Sequence, residues 1–99
     1  MTDEAHAAMA VALEAGLGYT GLRGFQPDPK LFHYLPPALA AREQAVPVIL
    51  VGDRLKVACA RPDPDLGLVR RRFPYVAVDI VIAPAAEIGR ALQRAAGTS

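Results

Sequence analysis

At 99 residues, with 53% apolar and 21% charged side chains, the chain is one domain's worth of material and is not intrinsically disordered, a state that needs low hydrophobicity and high net charge. Eleven basic residues against ten acidic ones leave a net charge of +1, so no global field draws it to nucleic acid or to an anionic membrane. A single cysteine rules out an internal disulfide and fits a reducing compartment.

Residues 1–15 carry Asp3, Glu4 and Glu14 but no Lys or Arg, so the basic start of a signal peptide is missing. No apolar run approaches the ~20 residues that span a bilayer. A soluble, cytoplasmic chain that does not span a membrane is expected. Thr2-Asp3 can cap a first helix over residues 3–15, with Ala8, Val11, Ala12 and Ala15 on one face. Gly16 and Gly18 end it. Alanine makes a good helix former but a poor anchor, so this helix is expected to be peripheral to a core over residues 27–96. Leu17 to Leu22 reads as a loop or a short edge strand.

Asp28-Pro29 is a helix start, because the carboxylate accepts first-turn N–H groups and proline has none to lose. A short helix from Lys30 to Tyr34 places Leu31, Phe32 and Leu35 inward; Pro36-Pro37 stops it and opens another from Ala38 to Gln44, anchored by Leu39. The pair is a structural elbow, too short and too weakly basic to read DNA. From Val46 the period becomes that of a strand, and Pro47 suggests an edge or a strand start. Gly52-Asp53 signals a hairpin turn returning along Leu55 to Ala60.

Asp63-Pro64 repeats the helix-start pattern and predicts a helix from Asp65 to Phe73, weakened by Gly67. A third strand follows over Tyr75 to Ile82, and a last helix from Pro84 to about Ala96 buries Ile88, Leu92 and Ala95. Arg90 and Arg94 suit its C-terminal dipole. A helical crossover between the second and third strands predicts a three-stranded sheet in the order 2-1-3. The expected class is α+β, a hairpin plus one strand packed with short helices.

No catalytic set emerges. Cys59 lies mid-strand among apolar residues, and His6 and His33 fall in unrelated segments. An inert buried thiol is the expected reading. The two histidines lack metal-ligand spacing, and neither a GxxxxGK[ST] nor a GxGxxG segment is present. Asp79 in an apolar strand is either a general base or ligand carboxylate, or a residue on a solvated face, or the partner of Arg61 or Arg54. Arg70-Arg71-Arg72 is the densest charge in the chain, at a helix C-terminus where it opposes the dipole. These three are the candidate docking residues for an acidic partner, a phosphate or a cyclic nucleotide. Aromatics do not interleave with them, so the stacking half of a single-strand nucleic-acid site is missing.

Several short steps recur in fixed order: Leu17-Gly18-Tyr19, Pro27-Asp28-Pro29-Lys30-Leu31, Leu35-Pro36-Pro37-Ala38-Leu39-Ala40, Val46-Pro47-Val48, Leu55-Lys56-Val57-Ala58 and Ala60-Arg61-Pro62. This order resembles the amino-terminal domain of type II secretion and type IV pilus assembly ATPases, the GspE amino-terminal or MshEN-type domain. The resemblance runs from about Leu13 to Ala96 and does not include an ATPase core. It implies a non-enzymatic, cytoplasmic module without cofactor or metal, which docks an assembly motor to a protein partner or senses cyclic di-GMP. The arginine-leucine-glycine repeat that such domains use for the nucleotide is absent; Ala12-Leu13 stands where its "AL" would lie and Gly16 where its closing glutamine would be. No nucleotide-binding residue is therefore carried over. The resemblance also implies an acidic helix where this chain has Arg70-Arg71-Arg72. One domain over residues 1–99 is expected, and its sheet edges and alanine-rich helix leave pairing with a second copy open.

Overall fold

A computed structural model describes residues 3–97 of the chain. The first helix, α1 (Asp3–Ala15), buries Ala5, Ala8 and Ala12. Its buried stripe lies nearer the amino terminus than expected, and Ala15 is exposed. Gly16, at φ +70°, closes α1: its N–H donates to the Leu13 carbonyl and that of Leu17 to the Ala12 carbonyl, at 3.3 and 2.9 Å. This pair of bonds is a Schellman cap, which requires the left-handed conformation that glycine adopts without strain. The predicted Thr2 cap lies outside the described residues.

β1 (Gly18–Tyr19) follows at once, and a 3-10 helix spans Pro29–His33. Asp28 caps the latter as expected, its Oδ1 accepting the Lys30 N–H at 3.0 Å. α2 (Pro37–Glu43) runs straight into β2 (Ala45–Val51) through Gln44, whose φ of 51° turns the chain within one residue. Gly52, at φ +62°, makes the hairpin turn to β3 (Arg54–Cys59). The chain then passes through α3 (Gly67–Arg72), β4 (Ala77–Ile82) and α4 (Ala85–Gly97).

The architecture is α+β, with four strands rather than three, in the order β1-β4-β3-β2. The predicted order 2-1-3 is wrong. β4 lies parallel to the hairpin's return strand β3, not beside β2. The reason is visible in β2, where Pro47 has no N–H to give a second neighbour and the ladder slips between Pro47 and Ile49. Such a strand belongs at an edge. β1 supplies the fourth strand, parallel to β4, with Gly18 beside Val81 and Tyr19 beside Ile82.

One sheet face carries Leu55, Val57 and Cys59 of β3, packed with Leu31, Leu35, Leu39, Leu66, Val69 and Phe73. The other face places Val46 and Ala58 against Ile88 and Ala91 of α4. α1 packs Ala8, Ala12 and the half-buried Val11 against Ile82. Each large side chain buried this fully contributes roughly 1.5–3 kcal/mol.

α4 also braces the long segment between β1 and the 3-10 helix. Glu87 Oε1 accepts the Leu22 N–H at 2.6 Å, and Arg94 Nη1 donates to the Phe25 carbonyl at 2.9 Å. Arg94 is thus a clamp on a remote loop.

Candidate interaction surface

α3 starts later than Asp63-Pro64 predicts. The Glu43 carboxylate accepts the Asp65 N–H at 2.8 Å and a guanidinium N–H of Arg61 at 3.1 Å, which ties residues 61–65 to α2 as a loop. Helix begins only at Gly67, whose N–H bonds Asp65 Oδ1 at 3.2 Å. Gly67 therefore sits in the first turn, where it costs less than in a helix interior.

Arg70, Arg71 and Arg72 form the end of α3, and all three are exposed. Among the described residues none of them makes a salt bridge. Val69 and Phe73 on either side are buried and fix the helix against the sheet. The aromatics missing from the α3 sequence arrive through the fold. Phe73 packs edge-on against Tyr34 and His33 of the opposite segment, with ring centroids 4.9 and 5.4 Å apart, and against Tyr75 at 6.2 Å. The Arg72 guanidinium lies 5.9 Å from the Phe73 centroid, within the range of a cation–π contact. Tyr75 is 66% exposed. The end of α3 thus carries three cations that make no salt bridge among the described residues, with Arg72 over the Phe73 ring and Tyr75 exposed nearby; Arg and Tyr are among the side chains enriched where binding energy concentrates.

Asp79 carries no catalytic geometry. Arg54 holds it in a two-pronged pair, Nη2 to Oδ1 at 2.9 Å and Nε to Oδ2 at 3.0 Å, on a partly solvated sheet face. Arg61, the other predicted partner, belongs to Glu43. Cys59 is buried with its Sγ near the Val57 carbonyl. Burial pushes its thiol up to about 12, Arg61 pulling slightly down and Glu43 slightly up. His6 and His33 are exposed, and no group of His, Cys, Asp and Glu among the described residues is placed to hold a metal. In the folded chain at neutral pH, Cys59 is expected to resist a maleimide that labels it rapidly in urea; equal labelling rates would contradict an inert core thiol.

Residues 15–99 match the MshEN domain family. The chain belongs to that family. Two solved structures carry the same fold as this MshEN domain. MshE with cdg superposes with a TM-score of 0.73 at 23% identity, over 89% of this chain and 65% of that one. The N-terminal domain of XpsE gives a TM-score of 0.73 at 21% identity, over 92% of this chain and 65% of that one. The chain therefore spans about two-thirds of the length of each. Identities this low show the fold alone. A search of the curated proteins finds no match. These comparisons bear out the resemblance to the amino-terminal domains of secretion and pilus assembly ATPases, and no helix among the described residues is long and apolar enough to cross a membrane.

Two features of this MshEN domain escape the sequence. Glu43, inside an alanine-rich helix beside Arg42, looks like a solvated residue, yet it is a buried hub for Arg42, Arg61 and Asp65. The aromatic border joins residues 33–34 to 73–75, which no local pattern connects.

Proposed function

We propose that this chain is a non-enzymatic, cytoplasmic interaction and regulatory module that docks a secretion or pilus assembly component to a protein partner through Arg70, Arg71 and Arg72. In this reading residues 1–99 form one domain, with its core over 27–96 and helix 3–15 peripheral. The observation that carries the proposal is the set of three exposed guanidiniums that make no salt bridge among the described residues, with Arg72 over the Phe73 ring. Membership of the MshEN family supports it, as does a thiol and histidine set with no catalytic geometry.

Reversing all three charges (Arg70→Glu, Arg71→Glu, Arg72→Glu) is expected to weaken capture of the cognate secretion or pilus component by at least about tenfold, because each exposed like-charge juxtaposition opposes binding. Unchanged capture by a folded triple variant removes this patch from the function.

A second reading, binding of cyclic di-GMP, rests on the similarity to MshE, which was solved with cdg. Against it stands the missing arginine-leucine-glycine repeat. A calorimetric titration of the whole chain with cyclic di-GMP is the separate arm of the same experiment. A flat trace is expected; saturable heat would favour the nucleotide.

A further inference from the structure

The three arginines at the end of α3 are not equivalent. Successive helical residues point about 100° apart, so each guanidinium meets different surroundings. Arg71 turns back along the helix: its Nη1 lies 3.4 Å from the point where a side chain on Gly67 would begin, and Asp65 Oδ1 approaches the same point to 3.4 Å. A carboxylate therefore already stands in the neighbourhood of Arg71. Arg70 has neither a ring contact nor a salt bridge among the described residues. Arg72 alone of the three rests on an aromatic ring, with its guanidinium carbon 5.9 Å from the Phe73 centroid.

Phe73 is a fixed base for that contact. It is buried, its N–H donates to the Val69 carbonyl at 2.8 Å, and His33 and Tyr34 pack edge-on against its ring. Its own carbonyl accepts the Val76 N–H at 2.9 Å, which closes a four-residue turn with Pro74 in second place, where the fixed φ of proline suits it. Tyr75, third in that turn and exposed, folds back so that its ring meets Phe73 at 6.2 Å and 83°. Arg72 and Tyr75 are thus two exposed side chains seated on one buried ring. A guanidinium on a ring face keeps the N–H groups of its planar fork available to a carboxylate. A side chain already seated also loses less freedom on binding than a loose one.

We infer that Arg72 and Tyr75 form the anchor of the docking surface and receive an acidic segment of the partner protein in which an aromatic residue adjoins a carboxylate. The inference rests on the docking function proposed above and gives the partner its chemistry. The carboxylate pairs with the Arg72 fork, and the aromatic residue packs on the exposed Tyr75 ring. Arg70 adds attraction at longer range, and Arg71, with Asp65 near it, adds least. A single nucleic-acid strand fits less well. It needs cations along its backbone and successive stacking platforms, whereas here one exposed tyrosine adjoins one cluster in a chain of net charge +1.

The test is an NMR titration of the whole chain with the capped peptide Glu-Asp-Phe-Asp-Glu. It should shift the amides of Arg72, Phe73 and Tyr75, and should bind about threefold more tightly than Glu-Asp-Ala-Asp-Glu. Arg72→Ala should weaken it about fivefold and Arg71→Ala less than about twofold. Arg72→Lys keeps the charge but not the fork, and should recover only part of the loss. Tyr75→Ser should abolish the preference for phenylalanine and leave the Arg72 effect in place. Each substituted side chain is exposed, so the variants are expected to fold. No shift at these amides, equal losses from Arg71→Ala and Arg72→Ala, equal affinity for the two peptides, or a phenylalanine preference that survives Tyr75→Ser overturns the inference. So does tighter binding of a single-stranded oligonucleotide of the same charge. A triple charge reversal that abolishes capture, with equal single losses, keeps the docking function and discards the anchor; capture that survives the triple reversal discards both.

Discussion

Leu55→Ala is expected to lower the unfolding free energy by about 2–5 kcal/mol, a large part of the ~5–15 kcal/mol that holds a domain together. Leu55 is fully buried on β3, between Leu50 of β2 and Val78 of β4. Truncation there leaves a cavity beneath the short helices, and the sheet cannot collapse into it, because β3 is bonded on both sides. Urea unfolding reads the loss as a lower midpoint with an unchanged slope. Leu13→Ala is the matched control: that leucine is 85% exposed on α1, and its removal should change stability by less than about 0.5 kcal/mol. Comparable losses in the two variants would mean that the sheet is not where the stability resides.

What the sequence makes legible here is what depends on neighbours along the chain. The Gly52-Asp53 turn, the Asp28 cap and the Gly16 stop each rest on one or two residues whose backbone preferences leave little choice, and each is found where expected. The strand order needed a comparison across the chain. Pro47 argues for an edge, and the order 2-1-3 puts its strand in the centre; the structure resolves that conflict in favour of the proline. The helix expected from Asp65 begins two residues later: Asp65, tied through its N–H to Glu43, 22 residues away, uses its own carboxylate to accept the Gly67 N–H. The family was legible because proline caps and elbows recur in order, and those residues build the scaffold. The surface was less so: Arg70–Arg72 stand out in the sequence, but the packing of Tyr34 and His33 on Phe73 beside them exists only once distant segments have met.

Glu43 offers the sharpest test of that non-local layer. Its carboxyl is held below the ordinary glutamate value of 4.5, chiefly by the Asp65 N–H, with burial opposing and the Arg42 and Arg61 guanidiniums assisting. A carboxyl whose folded pKa lies below its unfolded one stabilises the fold above the unfolded value, and that contribution is lost as the pH falls through the folded value. Thermal midpoints taken from neutral pH downward should therefore fall for the wild-type chain below about 4.5, and this part of the fall should be missing in Glu43→Gln. Glu43→Ala strips the Asp65 N–H and the Arg61 guanidinium of their acceptor at once, which leaves polar groups of a part-buried site unpaired. Its midpoint at neutral pH should drop further than that of Asp79→Ala, which breaks a solvated pair on the sheet surface. Equal drops, or an acid limb as deep in Glu43→Gln as in the wild-type chain, would show that the loop at residues 61–65 is held by something other than this carboxylate.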